Sequence, residues 1–243
     1  MPLDFEELDY AETRMGELIL RRRCMPSLDN LEVYEVILGD AFLMSSLFTV
    51  VEIALADLGL AALDPQKKID VVVGGLGLGY TAQAALNNTN VEHLLVVDAL
   101  EEVIGWHQRH MIPLGKTLCD DPRCRFVHGD FFAMAADPSG GFDPDEPARA
   151  FDAVLLDIDH TPSKLLDDSH SDFYTMEGLQ KLAGQIKPGG VFAMWSDDPP
   201  DEEFIALLSK VFATADHEVV RFFNPLLERD SKSTVYVARG PAA

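Results

Sequence analysis

Residues 71 to 86 read VVVGGLGLGYTAQAAL: a β-branched run meets glycine at positions 75, 77 and 79, and an alanine-rich segment follows. The pattern predicts a strand that breaks into a tight turn and re-forms as a helix. At such a break Gly75, Gly77 and Gly79 let the backbone turn sharply and approach a ligand closely. The N-terminus of the following helix offers N–H groups with no partner of their own. The break therefore suits a nucleotide-like ligand. Gly77, Gly79 and Ala82 also fit the G-x-G-x-x-A form of the dinucleotide fingerprint, and many glycine turns bind nothing. The next apolar run, HLLVVDAL, ends near Asp98. That is about 20 residues beyond the glycines, where a carboxylate accepts hydrogen bonds from ribose hydroxyls.

The surrounding rhythm sets the fold class. Short apolar runs at 69 to 74, 92 to 97, 124 to 127, 151 to 156 and 189 to 195 alternate with helical segments, which predicts βαβ units and a mainly parallel sheet. The runs 217 to 224 and 233 to 240 are joined by PLLERDSK, too short for a crossover helix, so they should pair antiparallel at the sheet edge. Ahead of this α/β region, GELILRRRC (16 to 24) and LEVYEVILG (31 to 39) flank a turn and read as a β-hairpin. Residues 40 to 65 have apolar spacing suited to a helix ended by Asp64 and Pro65. The expected organisation is an N-terminal hairpin extension, 1–39, and an α/β domain, 40–243. The 243 residues, 47% of them hydrophobic, suffice for one sizeable core.

Composition narrows the partners. A net charge of −22 repels nucleic acid and anionic lipid, so neither is expected as a partner. The excess acid reads either as a solvated surface or as a funnel for a cationic ligand. No uncharged apolar stretch approaches the roughly 20 residues of a membrane span. The acidic N-terminus does not read as a secretory signal, so a cytoplasmic protein is expected. Cys24, Cys119 and Cys124 are odd in number and form no CxxC, which points away from a disulfide framework or a zinc site. No His, Cys and carboxylate grouping has metal-ligand spacing, so no metal is expected.

Further polar residues fall at strand ends. CRFVHGDFFAM ends its strand at Gly129 and Asp130, and FDAVLLDIDHTP ends its strand at Asp157. In open α/β sheets ligands lie outside the carboxyl ends of the strands, so the glycine turn, Asp98, Asp130 and Asp157 should line one crevice. Asp157, Asp159 and His160 are candidates for a catalytic base. Against that, Asp157 could cap the next segment, and Asp159 and His160 could be solvated loop residues. Tyr174 and Trp195 either wall an acceptor pocket or pack in the core. His107 and His110 sit on a helix and read as structural.

The string VVVGGLGLG, LLVVDALEEVI, DPRCRFVHGDFFAM, FDAVLLDIDHTP, LAGQIKPGGVFAMWS, in that order, resembles the Rossmann-like class I methyltransferase fold, and within it spermidine synthase and its relatives. The resemblance covers nearly the whole chain. It implies a mainly parallel seven-stranded sheet with a terminal antiparallel hairpin and a small N-terminal β-hairpin. It also implies that Gly75, Gly77 and Gly79 cradle the methionine-like part of S-adenosylmethionine, or of its decarboxylated form. Asp98 would hold the ribose, Gly129 and Asp130 the adenine side, and Asp157 would match the catalytic aspartate. The family habit further implies a homodimer.

Three departures bear on the reaction. Gly77 stands where spermidine synthases carry an aspartate that pairs with the aminopropyl amine. His160 stands where a second, polyamine-binding aspartate falls, and Met44 and Ser45 replace a Tyr-Gln pair, which makes Met44 a candidate acceptor contact. A neutral glycine turn tolerates the zwitterionic tail of S-adenosylmethionine without like-charge repulsion. The expectation is therefore methyl transfer from S-adenosylmethionine to a small-molecule thiol or amine. The alternatives are aminopropyl transfer from decarboxylated S-adenosylmethionine and a non-catalytic nucleotide-binding module.

Overall fold

In the computed structural model, which describes residues 5–241, the chain forms two sheets. Residues 1–4 of the expected extension and 242–243 of the expected α/β domain lie outside the described residues. The first sheet is antiparallel, in the order β1 (Phe5–Thr13), β2 (Gly16–Met25), β3 (Leu31–Leu38), β4 (Ala41–Ser45). It contains the expected hairpin as its two middle strands and adds a strand at each side. β1, with the sequence FEELDYAET, carries no apolar alternation to announce it. Pairing with β2 from Phe5 opposite Arg23 to Thr13 opposite Gly16 defines it, and Arg22 bonds Glu6 across the pair at 2.5 Å. β4 lies inside the stretch expected to be helical: AFLMS fits either period, and pairing with β3, Glu35 opposite Ser45, decides for strand. Helix α1 consequently begins at Val50 and ends at Ala61.

The second sheet holds β5 (Ile69–Gly74), β6 (Val91–Asp98), β7 (Cys124–His128), β8 (Phe151–Leu156), β9 (Ile186–Ser196), β10 (Phe212–Asn224) and β11 (Arg229–Pro241). Their order is β10-β11-β9-β8-β5-β6-β7. β9, β8, β5, β6 and β7 are mutually parallel, and β11 and β10 close the edge antiparallel, as the sequence rhythm predicts. Six helices connect them: α2 (Tyr80–Asn87), α3 (Glu101–Gln108), α4 (Gly115–Asp120), α5 (Phe131–Ala136), α6 (Met176–Ala183) and α7 (Glu202–Val211).

The valine run shows why this sheet is covered on both faces. Val71, Val72 and Val73 are all fully buried. Because side chains alternate along a strand, Val71 and Val73 join a core with Leu55, Leu94 and Trp106, whereas Val72 joins another with Leu95, Phe131 and Phe192. Leu18, Leu20 and Val36 of the first sheet belong to the first of these cores, so the N-terminal sheet is packed on the same apolar mass as α1. β5 has β6 on one side and β8 on the other, which is where successive connections leave in opposite directions and a crevice opens at the carboxyl ends.

Candidate active site

At that point lies a cavity of about 670 Å³. Gly75, Gly77, Asp98, Asp130 and Asp157 line it from the strand ends, Met44 from β4, Glu52 from α1, His160 from beyond β8 and Trp195 from β9.

The glycine turn is held by its neighbours. Gly75 has φ +94°, and a Cβ there would run into the backbone carbonyl of Asp157; Gly77 has φ +46°, and the Met44 thioether occupies the space a Cβ would need. Met44 Sδ also accepts from Leu78 N at 3.0 Å. From the other side, buried His107 donates from Nε2 to the Gly77 carbonyl at 2.9 Å. Burial pushes the imidazole pKa down to about 4, outweighing the pull of that bond, so the ring is neutral with its proton on Nε2. His107 is thus structural, as its helix position implied, and the structure it serves is the turn itself. Gly79 and Gly129 do not line the cavity. A Cβ on Gly79 would meet Leu118 and His107, and one on Gly129 would meet Met134.

The three strand-end carboxylates differ in what they have left to offer. Asp98 accepts from Leu76 N through Oδ2 and from Leu100 N through Oδ1, both at 2.8 Å, and the Gly77 amide also draws on it, so it braces the glycine turn and still has acceptor capacity to spare. Burial pushes its pKa up against the pull of those bonds. Asp130 caps α5: its Oδ1 accepts from Phe132 N at 3.0 Å and Ala133 N at 3.2 Å. Asp157 accepts from Thr81 Oγ1 at 2.5 Å, and burial raises its pKa to about 6 in spite of that bond.

A fourth carboxylate was missed by sequence reasoning. Glu52, in the first turn of α1, lines the same cavity, and its pKa is pushed to about 8, first by burial and then by the negative charge of Asp157. Its one signal in the sequence is a lone acid inside the apolar run VVEIALA.

The loop after β8 separates the remaining candidates. Asp159 is 1% exposed and does not line the cavity; it accepts from Leu166 N at 2.8 Å and from Tyr174 OH at 2.9 Å, and it bonds His170 Nδ1 at 2.8 Å. These partners make it the anchor of the loop. Tyr174 stays behind the cavity wall with it, its hydroxyl held well above the usual phenol range by burial and by Asp159. His170 does reach the wall and stacks on Phe132 at 3.8 Å between ring centroids. His160 and Trp195 meet edge to face at 6.4 Å, and both line the cavity. Among the described residues no group of three or more His, Cys, Asp or Glu side chains could hold a metal, and no helix is long and apolar enough to cross a membrane.

With this geometry established, comparison with known proteins gives a consistent picture. No protein-family model matches the chain. A polyamine aminopropyltransferase of Pyrobaculum islandicum is 25% identical over 122 residues, 50% of this chain and 39% of the relative. Polyamine aminopropyltransferase 2 of Hyperthermus butylicus is 24% identical over 164 residues, 68% of this chain and 47% of the relative. The matched stretches therefore span less than half the length of these relatives. Among solved structures, a spermidine synthase in complex with the transition-state analogue AdoDATO superposes with a TM-score of 0.71 at 17% identity, covering 96% of this chain and 73% of the other. Spermidine synthase from Thermotoga maritima gives 0.70 at 17% identity, with 96% and 72% covered.

The fold is that of spermidine synthase. These likenesses correct the expectation of a methyltransferase using S-adenosylmethionine, since the relatives and structural neighbours are aminopropyl-transferring enzymes. The cavity supplies the physical reason. A neutral Gly77 argued for a zwitterionic donor tail only while the turn was taken alone; in the folded chain two acids, Glu52 and Asp157, line the same cavity as Gly77, so the neutrality of the turn does not decide which tail the cavity takes.

Proposed function

We propose that this chain is a spermidine synthase-type aminopropyltransferase, which moves the aminopropyl group of decarboxylated S-adenosylmethionine to the amine of a small acceptor. The observation that carries the reading is Asp157: a carboxylate at the end of β8, oriented by Thr81, facing a cavity whose lining holds five further acids, Glu52, Asp98, Asp130, Asp167 and Asp197, and one guanidinium, Arg14. Such a lining selects cations, and donor and amine acceptor are both cationic.

The residues fit the donor. Asp98 has lone pairs free for the ribose hydroxyls, Asp130 keeps Oδ2 for the adenine amino group, and Gly75 and Gly77 leave room for the thioether end. His160 and Trp195 form the acceptor wall. When bound, the donor supplies a sulfonium whose adjacent methylene carbon is open to displacement. The acceptor nitrogen forms its bond to that carbon as the carbon–sulfur bond breaks, and the electron pair stays on sulfur as a neutral thioether. Asp157 receives the proton the amine gives up, and with its pKa near 6 it is ionised at neutral pH, ready to do so. The walls align the attack, which is most of what a displacement at carbon asks of an enzyme. We extend the proposal to a homodimer through the open edge of β1, which a monomeric mass in solution scattering overturns.

The direct test is incubation with decarboxylated S-adenosylmethionine and a panel of short α,ω-diamines, followed by mass spectrometry. An aminopropylated amine together with methylthioadenosine is expected. The absence of an aminopropyl product with every amine would overturn the reading.

A further inference from the structure

We propose that Glu52 is the specificity-determining acid of the donor site: its carboxylate takes the ammonium at the end of the decarboxylated donor's tail and turns away a tail that carries a carboxylate. The inference rests on the proposed aminopropyl transfer and names the residue that selects its donor.

Position comes first. Glu52 stands on the glycine-turn side of Asp157. Thr81, in the first turn of the helix that follows the glycines, bonds the Asp157 carboxylate at 2.5 Å and lies 3.4 Å from the Glu52 backbone carbonyl. The turn itself brings no charge to this corner, because Gly77 has no side chain and the Met44 thioether fills the space above it. The acceptor wall of His160 and Trp195 belongs instead to the β8 and β9 side.

Charge comes second. Among the described residues the Glu52 carboxylate has no ion-pair partner, and Arg14, the guanidinium of the lining, sits near Asp167 instead. Two neighbouring carboxylates in a partly dry cavity resist ionising together, which is why the Glu52 proton is held to about pH 8. A cation placed between them removes that resistance. A tail ending in an ammonium alone supplies that cation, whereas a tail that adds a carboxylate brings a third negative charge.

The experiment is calorimetric titration of wild-type, Glu52→Gln and Glu52→Asp protein with decarboxylated S-adenosylmethionine, S-adenosylmethionine and methylthioadenosine. The wild type should prefer the decarboxylated donor by about 10- to 100-fold. Glu52→Gln should narrow that preference to within about threefold, chiefly by weakening the decarboxylated donor, and leave methylthioadenosine, which has no aminopropyl tail, unchanged. Glu52→Asp, which keeps the charge, should restore part of the preference. A Glu52→Gln protein with the wild-type preference overturns the assignment while leaving aminopropyl transfer intact. Loss of methylthioadenosine binding in Glu52→Gln overturns it too, by showing that Glu52 shapes the adenosyl pocket. A wild type that binds methylthioadenosine yet shows no preference between the two donors overturns the assignment as well, whereas the proposed function falls only if no aminopropylated amine is formed.

Discussion

The two ends of the parallel sheet carry the same kind of residue in opposite circumstances. At the amino ends, Asp70 and Asp152 share the Lys187 ammonium at 2.8 Å each, Asp70 also bonds His93 and Arg149, and buried Asp143 pairs with Arg125 and Arg149. Burial alone would raise the pKa values of Asp70 and Asp143. The hydrogen bonds and charges of their partners win, and both are lowered. At the carboxyl ends, Asp98, Asp157 and Glu52 are raised instead, because burial outweighs what opposes it: backbone hydrogen bonds and the His128 charge at Asp98, the Thr81 bond at Asp157, and backbone hydrogen bonds alone at Glu52. One end has its charges neutralised within the chain; at the other, the proposed cationic donor and acceptor would supply the counter-charge. Acid content by itself therefore says little about function, and the pairing of each acid says a great deal.

The sharpest way to break this contrast is Asp157→Asn, which keeps the shape and removes the proposed base. Aminopropyl turnover should fall about 10²- to 10⁴-fold, with donor affinity within a few-fold by calorimetry. Turnover that survives would move Asp157 to a purely orienting role. The same residue sets a pH limb: protonation below about 6 removes the acceptor of the proton, so kcat/KM should fall as pH drops through that value. In kcat the limb should lie lower, because a bound cation favours the ionised carboxylate.

Next in size is Asp98→Ala, which should weaken methylthioadenosine binding by about 1 to 3 kcal/mol by leaving the ribose hydroxyls and the turn amide of Leu76 without their acceptor. At the opposite end, Lys187→Ala should leave donor binding untouched and cost about 1 to 2 kcal/mol of stability at neutral pH, the ion pairs being partly solvated. Because the Asp70 carboxylate is held low in the folded chain, its stabilisation is present above the unfolded carboxylate pKa and is lost as pH falls through the folded one. The penalty of Lys187→Ala should shrink accordingly in acid, read as a narrowing gap in Tm.

Glu52→Gln should do the reverse. Its carboxylate is raised from 4.5 to about 8, so the folded chain loses stability as pH climbs through that window. The glutamine variant should melt at the same temperature as wild type near pH 4.5 and higher at pH 9. The smallest effect belongs to Thr81→Val, which removes the bond that favours ionised Asp157 and should move the limb near pH 6 upward by about one unit or less.

The parallel sheet was legible because its strands are apolar runs broken by turn residues, and burial on both faces is what such runs require. β1 was not legible, since its alternation of Glu, Asp and Thr with a few apolar residues fits an exposed loop as well as an edge strand; only pairing with β2 decides. β4 was lost to the helix that follows it, because five residues of AFLMS satisfy both periods. In the site, Gly75, Gly77, Asp98, Asp130 and Asp157 could be read from strand ends. Asp159 read as a candidate base or a loop acid and Tyr174 as an acceptor wall or core residue, because sequence places their loop near the crevice without showing which way it turns; the fold buries Asp159 as the shared acceptor of Tyr174 OH and partner of His170. Glu52 was invisible for the opposite reason: an acid in the first turn of a helix is ordinary, and only the packing of α1 against α2 brings it to the cavity.

The Met44 thioether resting on Gly77 ties the N-terminal sheet to the floor of the cavity. A molecule filling that cavity touches walls from both sheets at once, so its binding free energy is shared between holding the ligand and holding the sheets together. Amide protons of β3 and β4 should exchange more slowly in the liganded protein, although most of the proposed nucleoside contacts lie on the other sheet. Loosening the N-terminal sheet, conversely, should speed ligand escape by the same linkage.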